Sequence, residues 1–99
     1  MYGLIGQMMA VPGKRDALVA ILAEGTADMP GCISYVVALD AKDADAIWIA
    51  EVWADKASHA ASLGLPAVKA AIAKGRPLIA GFRTHIETIP VAGTRSAKA

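Results

Sequence analysis

The chain has 99 residues, of which 56% are hydrophobic and 19% are charged, and its formal net charge is +1. A chain of this length forms one domain, and a net charge so near zero gives no electrostatic support for nucleic-acid binding. A small domain has too little interior for so much apolar material. Part of the apolar surface should therefore be buried against another subunit.

The single cysteine and the ends of the chain indicate the cellular setting. Cys32 has no partner for a disulfide within the chain, which suits a reducing cytoplasm. The first residues lack the basic segment of a signal peptide, and no apolar run approaches the roughly 18 residues that cross a membrane. We therefore expect a cytoplasmic protein with no membrane partner, a folded domain over residues 1–90 and a flexible tail over residues 91–99.

Taken in chain order, apolar periodicity and turn residues predict strands separated by helices. Pro12 ends the first strand, Pro30 precedes the second, and Asp55 is suited to cap the helix that follows the third. Gly81 is expected to open the last strand. The predicted strands span 2–11, 32–39, 46–53 and 82–89, and the predicted helices span 14–26, 56–63 and 66–76.

Spacing along the elements also predicts which faces are buried. In the first helix Leu18 and Gly25 belong to one apolar stripe, and in the third helix Val68 and Ile72 do. In the last strand, strict alternation places Phe82 and His85 on opposite faces of the sheet.

The element order β-α-β-β-α-β predicts an α+β, ferredoxin-like fold with a four-stranded antiparallel sheet. Two helical segments cover only one face of such a sheet. The first three strands are nevertheless apolar on both faces, whereas a sheet with one solvated face would alternate polar and apolar residues. We therefore predict a homodimer in which the sheets of two subunits pack face to face.

Several short sequence motifs lie at the boundaries of these elements. They are Pro12-Gly13-Lys14, Pro30-Gly31-Cys32, Ile49-Ala50-Glu51-Val52-Trp53 followed by Asp55-Lys56-Ala57, and Arg76-Pro77-Leu78. In this order and spacing they resemble the antibiotic biosynthesis monooxygenase family, whose fold is a dimeric α+β barrel. The resemblance covers about residues 3–89.

The resemblance implies a set of activities rather than one reaction. Some members of the family oxidise phenols, anthrones or quinols with O₂ without metal or flavin, some degrade haem, and many have no assigned activity. Cofactor-free oxidation needs an apolar cavity and a group that removes a proton from an electron-rich aromatic. We expect a monooxygenase without a cofactor or a metal that acts on a small aromatic substrate. The alternative is a non-catalytic homodimer that binds a small ligand or serves a structural role.

The third predicted strand holds the residues best suited to this chemistry. Trp53 matches a tryptophan of the family and would stack on a flat substrate; the alternative is a core aromatic. Trp48 faces the opposite side and is assigned to packing or to the dimer. Glu51 shares the face of Trp53 and is a candidate general base, or a structural acid paired with Arg76 or Arg83.

His59, on the short second helix, is the candidate proton acceptor best matched to neutral pH, or a half-exposed histidine with no role. Gln7 and Tyr35 are polar side chains within strands that could hold a ligand oxygen, or satisfied core groups. His85 is assigned to a polar row at a surface or interface, although a place in the pocket stays open for it. The two histidines do not have the spacing of metal ligands.

Two departures from the family argue against haem degradation. Gln7 stands nearest to the position of an asparagine in the haem-degrading branch, and Ala67 stands where that branch has a histidine. The resemblance therefore favours oxidation of an aromatic, or ligand binding alone, over haem chemistry.

Overall fold

A computed structural model describes residues 1–93 of the chain. Its elements are β1 (Tyr2–Ala10), α1 (Arg15–Gly25), β2 (Cys32–Leu39), β3 (Ala46–Trp53), α2 (Lys56–Ser62), α3 (Pro66–Gly75), a 3₁₀ turn (Arg76–Leu78) and β4 (Ile79–Thr88). All elements before the 3₁₀ turn agree with the sequence prediction to within one residue at each end. Of the tail expected over residues 91–99, the part from residue 94 lies outside the described residues.

The four strands form one antiparallel sheet in the order β2-β3-β1-β4, which confirms the ferredoxin-like α+β prediction. The helices lie on one face of this sheet. Between the two layers, Leu18 of α1 packs on Ile47 and Ile49 of β3. A second core cluster, next to it, joins Trp53 at the end of β3 to Val68 of α3. Among residues 1–93, no helix is long and apolar enough to span a membrane.

Local sequence explains where the elements begin and end. Gly13 and Gly31 take the left-handed backbone conformation, with φ of 81° and 80°, at the turns before α1 and β2. The Asp55 carboxylate accepts a hydrogen bond of 2.7 Å from the backbone N–H of Ser58 and caps α2, as predicted. Pro66 occupies the first turn of α3, where a missing N–H costs nothing.

The start of β4 was predicted wrongly. The strand begins at Ile79, not after Gly81, because the chain leaves the 3₁₀ turn already extended and Ile79 pairs with Ala10. Gly81 lies inside the strand, opposite Met9. Pro77 thus marks the tight turn before β4, whereas Gly81 does not mark the start of the strand.

The faces of β4 also depart from strict alternation. His85 pairs with Gly6 and Phe82 pairs with Met8, so three steps along β4 match two along β1. This β-bulge places Phe82 and His85 on the same, helix-covered face, because residues directly opposite each other share a face. The prediction that they lie on opposite faces was wrong.

The buried stripes were predicted correctly in part. Leu18 and Val68 are buried between the helices and the sheet, and Gly25 is buried where α1 meets α3. Ile72 is exposed instead, because it lies at the rim of an open cavity between α3 and the sheet rather than over a strand.

Candidate functional site

The strand register brings the polar candidates onto the helix-covered face of the sheet. Tyr35 of β2 lies directly opposite Glu51 of β3, and Glu51 lies opposite Leu4 of β1. Trp53 is the next residue of β3 on the same face and lies opposite Tyr2. α2 then returns over the sheet and carries His59 back to this group.

Glu51, Trp53 and His59 form the centre of the site. The indole Nε1–H of Trp53 donates a hydrogen bond of 2.9 Å to Glu51 Oε1, and Nε2 of His59 lies 4.0 Å from the same oxygen. The imidazole also packs edge-on against the indole, with ring centroids 5.4 Å apart. The side chains of His59 and Glu51 are 24% and 16% exposed, so a ligand can reach both.

Trp53 itself is only 1% exposed. Its ring is a core aromatic, packed near Met29 and Val68. It therefore acts on the site through the N–H that it gives to Glu51, rather than as the open stacking surface considered from the sequence.

Tyr35 borders the same centre. Burial raises the pKa of the Tyr35 hydroxyl far above its usual range, and the negative charge of Glu51 raises it further. The hydroxyl therefore keeps its proton at any physiological pH. A neutral hydroxyl beside a cavity can donate a hydrogen bond to an anionic ligand oxygen.

Tyr2 closes the outer side of the cluster. Its ring lies 5.6 Å from the imidazole of His59, and its hydroxyl donates a hydrogen bond to Glu87 of β4. Nζ of Lys56 lies 3.7 Å from the same carboxylate. The hydrogen bond from Tyr2 and the charge of Lys56 lower the pKa of Glu87. His59 is thus held between two aromatic rings, Tyr2 outside and Trp53 inside.

A cavity of about 570 Å³ opens from this cluster between the sheet and the helices. Its walls are mostly apolar, and the charged or titratable side chains in them are Tyr35, Glu51, His59, Arg76 and His85. The apolar lining includes Leu4, Met8, Ile49, Val68, Ile72 and Phe82. The volume lies within the range of about 300–1,000 Å³ that is typical of small-molecule sites.

Gln7 is not brought to this centre. It borders the cavity but pairs with Trp48 in the register, and its side-chain amide donates a hydrogen bond of 3.3 Å to Asp40 Oδ2. The indole N–H of Trp48 donates to the same oxygen at 2.8 Å. Both side chains therefore lie on the sheet face away from the helices, which agrees with the prediction that Trp48 and Trp53 face opposite sides.

Neither arginine suggested for Glu51 pairs with it. Arg83 lies 3.4 Å from Asp43 Oδ2, and Arg76 forms no ion pair or side-chain hydrogen bond with any residue of the described range 1–93. His85 lines the cavity, so it is not confined to a polar row on the surface. Within residues 1–93 no three His, Cys, Asp or Glu side chains gather in a way that could hold a metal ion.

Tyr2 is a site residue that the sequence analysis missed, and Arg76, named there only as a possible partner of Glu51, was not expected to line the cavity. The first strand pairs with the third in the sheet, and a register counted from their ends sets Tyr2 against Trp53, so this strand pairing is the signal that could have found Tyr2. Nothing in the sequence indicated that Arg76 borders the cavity, since only the cavity shape shows that the 3₁₀ turn lies beside it.

Known proteins with this architecture are numerous. The sequence profile of the family described as antibiotic biosynthesis monooxygenase matches residues 1–74. A crystal structure from Chloroflexus aurantiacus J-10-fl, provisionally named an antibiotic biosynthesis monooxygenase, is 66% identical, superposes with a TM-score of 0.92, and the match covers 94% of this chain and 95% of that one.

More distant structures share the fold. One from Nitrosomonas europaea is 15% identical with a TM-score of 0.84 over 93% of this chain and all of its own, and one from Deinococcus radiodurans is 21% identical with a TM-score of 0.77 over 95% and 96%. Both carry the same provisional name. No functionally curated protein matches the chain. The profile match and the relative from Chloroflexus together show that the chain belongs to the antibiotic biosynthesis monooxygenase family.

Proposed function

We propose that the protein is a cofactor-independent monooxygenase that oxidises a phenol, anthrone or quinol with O₂ in the cavity between sheet and helices. The observation that supports this most directly is the Glu51–His59 pair, two proton-accepting groups 4.0 Å apart at the wall of an apolar cavity. Such a cavity excludes water from a reactive anion, which protects the oxygen chemistry from side reactions.

The reaction asks little of the protein because the substrate supplies the electrons. For an anthrone, removal of a proton from the reacting ring carbon leaves an electron-rich anion that reduces O₂. One oxygen atom then forms the new carbonyl on that carbon, and the other leaves as water with the two hydrogens that the carbon lost. The balance is one O₂ consumed and one water released for each carbonyl formed.

His59 is the proton acceptor in this proposal, since histidine is the side chain that most often serves as a general base and this one lines the cavity. Glu51 faces the ring and offers a negative charge to the imidazolium that forms. Trp53 holds Glu51 in that position through its 2.9 Å hydrogen bond, as the carboxylate of a catalytic triad is held for its histidine. Tyr35 donates its hydroxyl proton in a hydrogen bond to the substrate oxygen.

We also propose that the protein works as a homodimer joined through its sheet faces. On the face away from the helices, Val36, Ala50, Ile5 and Ile86 lie in register across all four strands and form one exposed apolar row. Val36, Ile5 and Ile86 are 50%, 36% and 48% exposed in the single chain. A row of this kind on a sheet face that no helix covers is suited to a second copy of itself, related by a two-fold axis.

Oxygen uptake by the purified protein, stripped of metal and flavin, tests the proposed reaction. A small panel of naphthoquinols, anthrones and flavonols is supplied, and the rate of autoxidation without protein is subtracted. Trp53→Phe should still bind an active substrate but lose at least tenfold in rate, because Glu51 loses its indole donor. Trp48→Phe is the matched control, since the indole of Trp48 lies on the opposite face of the sheet and donates its hydrogen bond to Asp40.

The outcomes separate the alternatives. Uptake that depends on Trp53 but not on Trp48 supports the oxygenase. Full activity in Trp53→Phe would remove Trp53 from the mechanism. No uptake across the panel would favour the second reading, a homodimer that binds a small ligand without transforming it.

A further inference from the structure

The charges that line the cavity are arranged unevenly. Among residues 1–93, Glu51 is the only carboxylate in its wall, and it lies beside His59 and Trp53 near the end of the cavity at Tyr2. Arg76 lies toward the other end, just before Ile79, which pairs with the last residue of β1. His85 lies between these ends, opposite Gly6 in the middle of β1. An apolar ligand in this cavity would therefore meet an acidic group at one end and cationic or N–H donor groups at the other.

Arg76 is available to a ligand. Within residues 1–93 its guanidinium has no carboxylate partner, whereas Arg83, seven residues later, is held by Asp43. An arginine presents a fixed fork of donors that fits a carboxylate in two parallel hydrogen bonds. An unpaired arginine in the wall of an otherwise apolar cavity is thus a ready site for an anionic group.

His85 adds a second donor on the same side. The β-bulge that places Phe82 and His85 on one face turns the imidazole toward the cavity instead of away from it. Gly6 lies opposite and contributes no side chain, so the space beside the imidazole stays open. A Cβ atom at Gly6 would lie 3.8 Å from Cδ2 of His85, which shows how closely the ring borders that space.

The register sets the span between the two ends. Ile79, which follows the turn that carries Arg76, is two strands away from Glu51 and six residues along, which at about 4.8 Å per strand and 3.4 Å per residue corresponds to about 22 Å between backbone positions. Two or three fused aromatic rings with polar groups at opposite ends match this distance once the protein side chains reach inward.

We propose that Arg76 and His85 form an anion subsite and that the ligand of this cavity is an aromatic acid: a fused-ring phenol or quinol that carries a carboxylate at the end remote from its reacting hydroxyl. This inference rests on the proposed function for the placement of the hydroxyl beside His59. The proposed binding of the carboxylate by Arg76 and His85 can be tested by binding measurements alone, without any turnover.

Isothermal titration calorimetry with two stable probes tests the subsite. 6-Hydroxy-2-naphthoic acid has its hydroxyl and carboxylate at opposite ends of the ring system, and its methyl ester has the same shape without the charge. The wild-type protein should bind the acid more tightly than the ester. Arg76→Gln should weaken binding of the acid by about tenfold and change binding of the ester by less than twofold. The expected loss lies at the lower end of the range for a charge-assisted hydrogen bond, because Arg76 is exposed to solvent.

Lys74→Gln is the matched control. It removes one positive charge two residues before Arg76, from a lysine that does not line the cavity, and should leave both affinities within twofold of wild type. Equal binding of acid and ester to the wild type, no binding of the acid, or an equal loss for both probes in Arg76→Gln would overturn the subsite. Both titrations are carried out without O₂, so neither probe can be oxidised. Failure of the oxygenase reaction would therefore leave this result unaffected, and the converse also holds.

Discussion

The indole Nε1 of Trp53 lies 2.9 Å from Oε1 of Glu51, so two side chains of one strand are joined by a hydrogen bond on the buried face of the sheet. The same carboxylate oxygen lies 4.0 Å from Nε2 of His59. A carboxylate that is largely removed from water needs such donors, since an unpartnered buried charge is costly. The arrangement fixes Glu51 beside the imidazole and leaves the imidazole facing the cavity.

His59→Phe separates proton transfer from packing at this centre. Phenylalanine keeps a ring between Tyr2 and Trp53 but cannot accept a proton, so kcat in the proposed reaction should fall by about 100-fold or more. The thermal midpoint should change little. Steady-state oxygen uptake with an active substrate from the panel measures the rate.

Glu51→Gln is the companion variant. The amide oxygen still accepts the Trp53 hydrogen bond but offers no negative charge, so its loss in kcat should be smaller than that of His59→Phe. A larger loss in Glu51→Gln than in His59→Phe would assign the proton to Glu51 instead.

Gly25→Ala tests the close approach of α1 and α3. A Cβ atom at Gly25 would lie 2.4 Å from the Cβ of Ala71 and 3.2 Å from the backbone oxygen of Ala67, so the two helices would have to separate. Overpacking of this kind costs about 1–3 kcal/mol, and the small gain in helix propensity at the last residue of α1 does not offset it. Urea unfolding measures the free energy of unfolding.

The control for this variant is Gly81→Ala. No atom lies within 4 Å of a Cβ placed there, and the residue sits within β4. Its free energy of unfolding should stay equal to that of the wild type or rise by about 0.5 kcal/mol. Equal losses in both variants would show that the helix contact at Gly25 is not tight.

The features that the sequence predicted correctly are local. Periodicity and turn residues suffice for β2 and β3, whose bounds at Cys32–Leu39 and Ala46–Trp53 agree with the prediction at every end. The cap at Asp55 was also correct, because an N-cap depends on a residue and the helix directly after it.

The features that were missed depend on contacts between distant segments. Ile79 joins β4 because Ala10 offers it a partner, and Phe82 shares a face with His85 because a bulge adjusts one strand to the other. No pattern within β4 encodes either fact. In the same way the sequence placed Glu51 and Trp53 on one face but suggested arginine partners for Glu51, although its partner lies two residues along the same strand.

Val36→Asp tests the proposed dimer. A charge in the middle of the apolar row over Val36, Ala50, Ile5 and Ile86 would be desolvated in a sheet-to-sheet interface at a cost of several kcal/mol. Light scattering at micromolar concentration should give the mass of a dimer for the wild type and of a monomer for the variant. Ala20→Asp, on the exposed side of α1, should remain dimeric. A monomeric wild type would contradict the proposal.

Asp40 should make the protein sensitive to acid. Backbone N–H groups of Asp43 and Lys42, and then the indole of Trp48, lower the pKa of its carboxyl from 3.8 to about 2. Because the pKa is lower in the folded chain, the carboxylate contributes stability that is complete above about pH 5 and is lost as the pH falls from about 4 to 2.

Urea midpoints measured between pH 2 and 6 should therefore fall steeply below pH 4 in the wild type, while Asp40→Asn should be less stable at pH 6 and show a shallower decline. The decline should not vanish, since hydrogen bonds also lower the pKa of Asp55 and Glu87. Asp28→Asn is the control, because that exposed carboxylate makes no hydrogen bond within residues 1–93, and its profile should follow the wild type. If the urea midpoints of wild type and Asp40→Asn fall in parallel with pH, the hydrogen bonds to the Asp40 carboxylate do not persist in solution. The hydrogen bond from the Trp48 indole to Asp40 would then be absent as well.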